Sequence, residues 1–90
     1  MTVITHDNAA HRFTTQADGH LAYVEYETGD GRIAITHTIV PSEIGGRGIA
    51  AALVKAAVEY ARDHGLQVEP QCSYADVWMR RHPEFDGLRA

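Results

Sequence analysis

The chain has 90 residues, 44% apolar and 22% charged, with a net charge of −4. A chain of that length holds one modest core, burying about 60 to 65% of its unfolded surface, with little left for a second module. The acidic balance provides no basic stripe for nucleic acid, and no apolar run nears the roughly 20 residues that span a bilayer. The polar start MTVITHDNAAHR is not a signal peptide. The single cysteine, Cys72, has no partner for an internal disulfide. The expectation is one domain over 1–90, cytoplasmic, with a reduced thiol and no membrane or nucleic-acid partner.

Residues 11–16 (HRFTTQ) are expected to form a short strand, followed by a turn over 17–20 around Asp18 and Gly19. LAYVEYE (21–27) is rich in aromatic and β-branched residues, and RIAITHTIV (32–40) alternates Ile33, Ile35, His37 and Ile39 on one face. TGDG between them is a hairpin signal, so the first forty residues read as an antiparallel meander. The period then changes. Ile49, Leu53, Ala56, Ala57, Tyr60 and Ala61 share one helical face, and Lys55, Glu59, Arg62 and Asp63 lie away from it. Gly65 suits the position after a helix end, which predicts a helix over 48–64.

LQVEPQC (66–72) reads as a strand in which Pro70 marks an edge or a bulge. Ser73 with Asp76 three residues on resembles a capping box, predicting a second helix through Trp78 to Arg81 that stops before His82 and Pro83. The fold class is therefore α+β: a mostly antiparallel sheet of four to five strands followed by β-α-β-α, with the main helix and a C-terminal helix packed on the sheet.

Gly45, Gly46 and Gly48 crowd the entrance of the long helix. A helix N-terminus carries about four unpaired amides and roughly half a positive charge, and neighbouring glycines let a bulky anion approach them. Residues 45–50 are thus a candidate phosphate cradle, the alternative being a tight turn without a ligand. The nucleotide-binding pattern GxxxxGK[ST] is absent, while the dinucleotide pattern matches formally at Gly46, Gly48 and Ala51 with Glu69 further on. That motif belongs at the first strand of a larger parallel sheet, whereas antiparallel hairpins come first here, so it is set aside. No HExxH, CxxC or paired histidines suggest a metal.

Glu43, Gly46 and Gly48 occupy the three defined positions of [QR]xxGx[GA], with Glu43 departing from the usual glutamine or arginine. Together with HTIVP (37–41), GGRGIAAALVKAAVEYAR (45–62), PQCSY (70–74) and RHPEF (81–85), they resemble the small single-domain family of GCN5-related N-acetyltransferase-like proteins. The resemblance spans about residues 20–87. It implies a minimal form of that fold, with acetyl-coenzyme A as the ligand. The pyrophosphate would rest on Gly45, Gly46, Arg47, Gly48, Ile49 and Ala50, and the pantetheine arm along Ile39 and Val40.

Acetyl transfer to an amine needs a neutral nucleophile, donors facing the developing oxyanion, and a proton for the departing thiolate. His37 is the candidate base, since imidazole ordinarily titrates near neutral pH; otherwise it packs among Ile33, Ile35 and Ile39. Cys72 would stand at the end of a strand, beside the positive end of a helix, as an acyl-accepting nucleophile with His37 as its proton acceptor; otherwise it is a small buried apolar residue. Tyr74 is the candidate proton donor to the thiolate, by resemblance, or a packing partner of Trp78. Arg47 is a phosphate partner or a solvated side chain. Arg80, Arg81 and His82 form a cationic cluster near the adenosine phosphates or simply a solvated helix end.

Two function classes follow. The first is an N-acetyltransferase acting on an unidentified small-molecule or protein amine, as a monomer or weak homodimer. The second is a non-catalytic module that binds or senses acyl-coenzyme A, favoured by how little chain precedes the sheet to hold an acceptor.

Overall fold

The computed structural model describes residues 2–90. Its sheet holds five strands in sequential order, β1 (Thr5–Asp7), β2 (Arg12–Ala17), β3 (His20–Gly29), β4 (Arg32–Ile39) and β5 (Gln67–Pro70). The first four pair antiparallel, and β5 lies parallel to β4 after the crossover through α1 (Ile49–Asp63). Helix α2 (Ser73–Arg80) follows β5, and short 3-10 turns occupy Ser42–Ile44 and Pro83–Leu88. The expected α+β fold is the observed one. Strand β1, which sequence patterning did not indicate, adds a fifth member at the edge.

The alternation along each strand explains the layering. Phe13, Thr15, Ala22, Val24, Tyr26, Ile33, Ile35 and Val68 turn to one face and are buried. Against that face α1 sets Ile49, Leu53, Val54, Ala57, Val58 and Ala61, and α2 adds Ala75, Trp78 and Met79 to the same core. Both helices lie on this face, and the opposite face remains uncovered around Leu21 and Ile39, each 43% exposed. Pro70 ends β5 at the sheet's edge, where its missing N–H is harmless.

Two local corrections matter for function. The register between β3 and β4 slips at Glu25/Tyr26: Glu25 faces His37 while Tyr26 faces Ile35, leaving Thr36 as the extra residue of a bulge. A bulge inverts the alternation beyond it. Ile33 and Ile35 enter the core as expected, but His37 and Ile39 turn to the uncovered face, and Thr38, opposite the buried Val24, turns inward instead. The second correction concerns α2. Its N-cap is Cys72, whose sulfur accepts the Ala75 amide at 3.3 Å, so Ser73 is the first helical residue and not the cap.

Strand β1 is held by an aromatic cluster. The His6 ring stacks on Phe13 with centroids 4.1 Å apart and meets Tyr60 of α1 edge-on at 4.6 Å, and its Nε2 hydrogen-bonds the Tyr26 hydroxyl. Burial, then the neighbouring His64, hold His6 below its ordinary pKa of 6.5. Burial and the nearby Tyr60 raise the Tyr26 hydroxyl above its usual value.

Candidate functional site

The chain leaves β4 at Ile39, makes one 3-10 turn over Ser42–Ile44, and reaches α1 through the glycines. The Ile44 amide returns to Pro41 and the Gly45 amide to Ser42, but the next amide with a backbone acceptor is that of Ala52, on the Gly48 carbonyl. Among the described residues, the amides of 46–51 therefore have no backbone partner. Gly46 and Gly48 stand at φ 77° and 76°, the left-handed region where a side chain would cost about 1–2 kcal/mol. Gly48 caps α1 without a side chain, and a Cβ at Gly46 or Gly48 would meet nothing within 4 Å.

A cleft of about 310 Å³ opens there, lined by Val40, Ile44, Gly45, Gly46, Gly48, Ile49, Ala50 and Tyr74. A second hollow of about 220 Å³ continues between α1 and α2, lined by Ala51, Tyr74, Val77, Trp78, Arg81 and His82. Tyr74 borders both. Of the residues expected around a cofactor, Val40, Gly45, Gly46, Gly48, Ile49 and Ala50 come together here. Ile44 joins them, an apolar residue that sequence reasoning passed over because nothing in its type signals a ligand.

Three expected residues stand apart. Ile39 faces the uncovered side of the sheet, and Glu43 is exposed, with one carboxylate oxygen 3.5 Å from the Ser42 hydroxyl. Arg47 reaches the β2–β3 turn, where its guanidinium donates to Asp18 at 2.6 Å. In the cationic cluster Arg80 is paired with Asp76 at 3.0 Å, while Arg81 and His82 line the hollow.

The strands beside the cleft separate. Ladder pairing of β4 with β5 ends at Ile35↔Pro70, and the amides of Gln71 and Cys72 both turn back to the Ile35 carbonyl at 3.0 Å. Beyond this point β4 continues to Ile39 paired with β3 alone, leaving its other edge without a neighbouring strand among the described residues. Cys72 stands at the fork, half-buried, its sulfur 3.3 Å from the Thr38 hydroxyl and 3.3 Å from the Ala75 amide. His37 is not its partner: the bulge puts His37 on the opposite face of β4, with its side chain 64% exposed. The sequence expectation that His37 takes the Cys72 proton is therefore not met, and Thr38 holds that position.

The arrangement combines a helix entrance with unpaired amides, an apolar cleft and a forked strand pair. No group of three or more His, Cys, Asp or Glu residues among the described positions has the spacing of a metal centre. No described helix is long and apolar enough to cross a membrane.

Comparison with known proteins agrees with this geometry. A family model described as GCN5-related N-acetyl-transferase matches residues 12–88. Protein NATD1 of Gallus gallus is 32% identical over 83 residues, covering 89% of this chain and 76% of the relative, and Protein NATD1 of Homo sapiens is 32% identical with coverage of 89% and 74%. A GCN5-like protein from Staphylococcus aureus, solved in solution by NMR, superposes with a TM-score of 0.76 at 30% identity, covering 98% of this chain and 87% of that one. With its forked sheet, its glycine-led helix and a match across nearly its whole length, the chain belongs to the GCN5-related N-acetyltransferase family.

Proposed function

We propose that residues 1–90 act as one acetyl-coenzyme A-binding domain that transfers the acetyl group to an amine. The observation carrying this reading is the row of unpaired amides over 46–51 opening onto a cleft walled by Val40, just past the end of β4, and by Tyr74 of α2. Paired phosphates suit those amides because each donates a hydrogen bond and the dipole of a fifteen-residue helix adds to the attraction. An extended amide-bearing arm suits the free edge of β4, where backbone groups lack partners. The hollow containing Trp78, Arg81 and His82 offers an aromatic and cationic wall for the adenosine end.

Acetyl-coenzyme A supplies an acyl group activated as a thioester. The chain's own groups do the rest. Cys72, hydrogen-bonded by the Ala75 amide and touching the Thr38 hydroxyl, is positioned as an acyl acceptor at the fork. Tyr74, 41% exposed on the wall of the cleft, is the proton donor for a departing thiolate. A second reading, a module that only binds acyl-coenzyme A, draws on the uncovered sheet face beside His37, where no further element among the described residues forms a wall for an acceptor.

Incubation with acetyl-coenzyme A without an amine, read by intact mass, separates the routes. A one-acetyl adduct in the wild type that disappears in Cys72→Ala is the expected result for transfer through the thiol. Full thiol release to an added amine by Cys72→Ala would contradict that route and leave direct transfer. Binding without thiol release in either protein would favour the module reading.

A further inference from the structure

The bulge that turns His37 outward also surrounds its Nδ1 with acceptors. The Thr36 hydroxyl lies 3.2 Å from the Glu25 carbonyl, to which it can donate its proton. With its proton turned to that carbonyl, the same oxygen accepts from His37 Nδ1, 3.2 Å away. The second group near Nδ1 is the Glu25 carboxylate, with Oε1 at 3.5 Å, which as an ionised group is also acceptor-only. That carboxylate is itself fixed: its Oε2 receives the Arg12 Nε–H at 3.1 Å, and the Arg12 guanidinium lies 4.0 Å above the Tyr23 ring. β2, β3 and β4 thus build a chain Tyr23–Arg12–Glu25–His37 across the uncovered face, next to the strand that forks from β5.

The geometry points to Glu25 and Thr36 as positioning residues that hold His37 in its Nδ1–H tautomer, leaving Nε2 as a free base on the uncovered face, towards an acceptor amine. This rests on the transferase reading above. It deepens that reading by naming the groups that set the tautomer of its candidate base. In the step itself, the amine nitrogen bonds to the thioester carbonyl carbon as the carbon–sulfur bond breaks. The ammonium proton passes to His37 Nε2, and the departing thiolate, that of Cys72 when the acetyl group has first moved there and that of the coenzyme when it has not, takes a proton from Tyr74 or water. Free histidine prefers the other tautomer, so the environment has to impose this one. Sequence reasoning could not reach Glu25, because the contact exists only after the register slip brings it opposite His37.

Long-range proton–nitrogen NMR of histidine-labelled protein above pH 8 reads the tautomer without any ligand. The expected result is a predominant Nδ1–H form for His37 in the wild type. Its population should fall severalfold in Glu25→Gln, where an amide N–H replaces an acceptor, and in Thr36→Val, and recover in Thr36→Ser. A predominant Nε2–H form in the wild type, or tautomers unmoved in Glu25→Gln and Thr36→Val, overturns the positioning role. Turnover of acetyl-coenzyme A with n-butylamine as the probe amine reads the catalytic side. In Glu25→Gln kcat should fall at least about tenfold with KM for acetyl-coenzyme A unchanged, and in His37→Ala further. Unchanged kcat in His37→Ala overturns the base assignment while the transferase reading stands. A wild type that binds coenzyme A but turns over nothing removes the transferase reading and the base role together, whichever tautomer is found.

Discussion

At the scale of single residues, the site depends on backbone conformations that only glycine adopts without penalty. Gly48 sits at φ 76° before α1, and Gly65 at φ 67° just after it, and a Cβ at either position would meet open space. Alanine at each should therefore lower stability by a similar amount, about 1 kcal/mol, seen as a fall in Tm of about 4–8 °C for a domain of this size. Only Gly48→Ala should also weaken coenzyme A, because only that change reshapes the amides at the helix entrance. Equal binding by the two variants would detach the glycine loop from ligand recognition. His6 gives a pH-dependent expectation. Its folded pKa is lowered, chiefly by burial, so below about pH 6.5 the unfolded chain takes up the proton more readily than the folded one. The stability contributed by neutral His6 is complete above that pH and is lost as pH falls towards the folded value. Thermal melts from pH 8 to pH 5 should show a decline, and His6→Phe, which keeps a ring beside Phe13 and Tyr60, should flatten it.

At the scale of elements, the C-terminal segment works as part of the core. Phe85 is 8% exposed and packs near Trp78, while Arg89 pairs with Asp76 of α2 and the Ala90 amide donates to the Val68 carbonyl at 2.8 Å. Phe85→Ala should cost about 3 kcal/mol by denaturant unfolding, since an aromatic side chain leaves a void between α2 and its neighbours; a loss well under 1 kcal/mol would mean the segment is not docked in solution. Most elements were legible from the chain because their signals are local. Asp30 and Gly31 mark the β3–β4 turn, the change of period after Gly48 marks α1, and Pro70 marks a strand edge. β1 was not legible, because three residues, Thr5–Asp7, are too few to show an alternation. Nor was the bulge. Ile33, Ile35, His37 and Ile39 alternate without a break in the sequence, and the slip at Thr36 arises from pairing with β3. The glycine entrance of α1 was therefore readable in advance, while the side on which His37 stands was not.

At the scale of the whole molecule, one layer of helices covers one face of a five-stranded sheet, and the proposed coenzyme site and the candidate base fall on opposite sides of β4. Cys72 and Thr38 belong to the helix side with the cleft, and His37 and Glu25 to the uncovered side. The central claim is that the unpaired amides at the start of α1 receive the diphosphate of coenzyme A. Titration of the nitrogen-labelled protein with coenzyme A, followed amide by amide, tests it most directly. Saturable shifts should concentrate at Gly46, Gly48, Ile49 and Ala50 and extend to Val40, Tyr74 and Arg81, with the β3–β4 turn at Asp30 unmoved. Saturable binding that leaves the amides of 46–51 in place, or no binding at all, would contradict it.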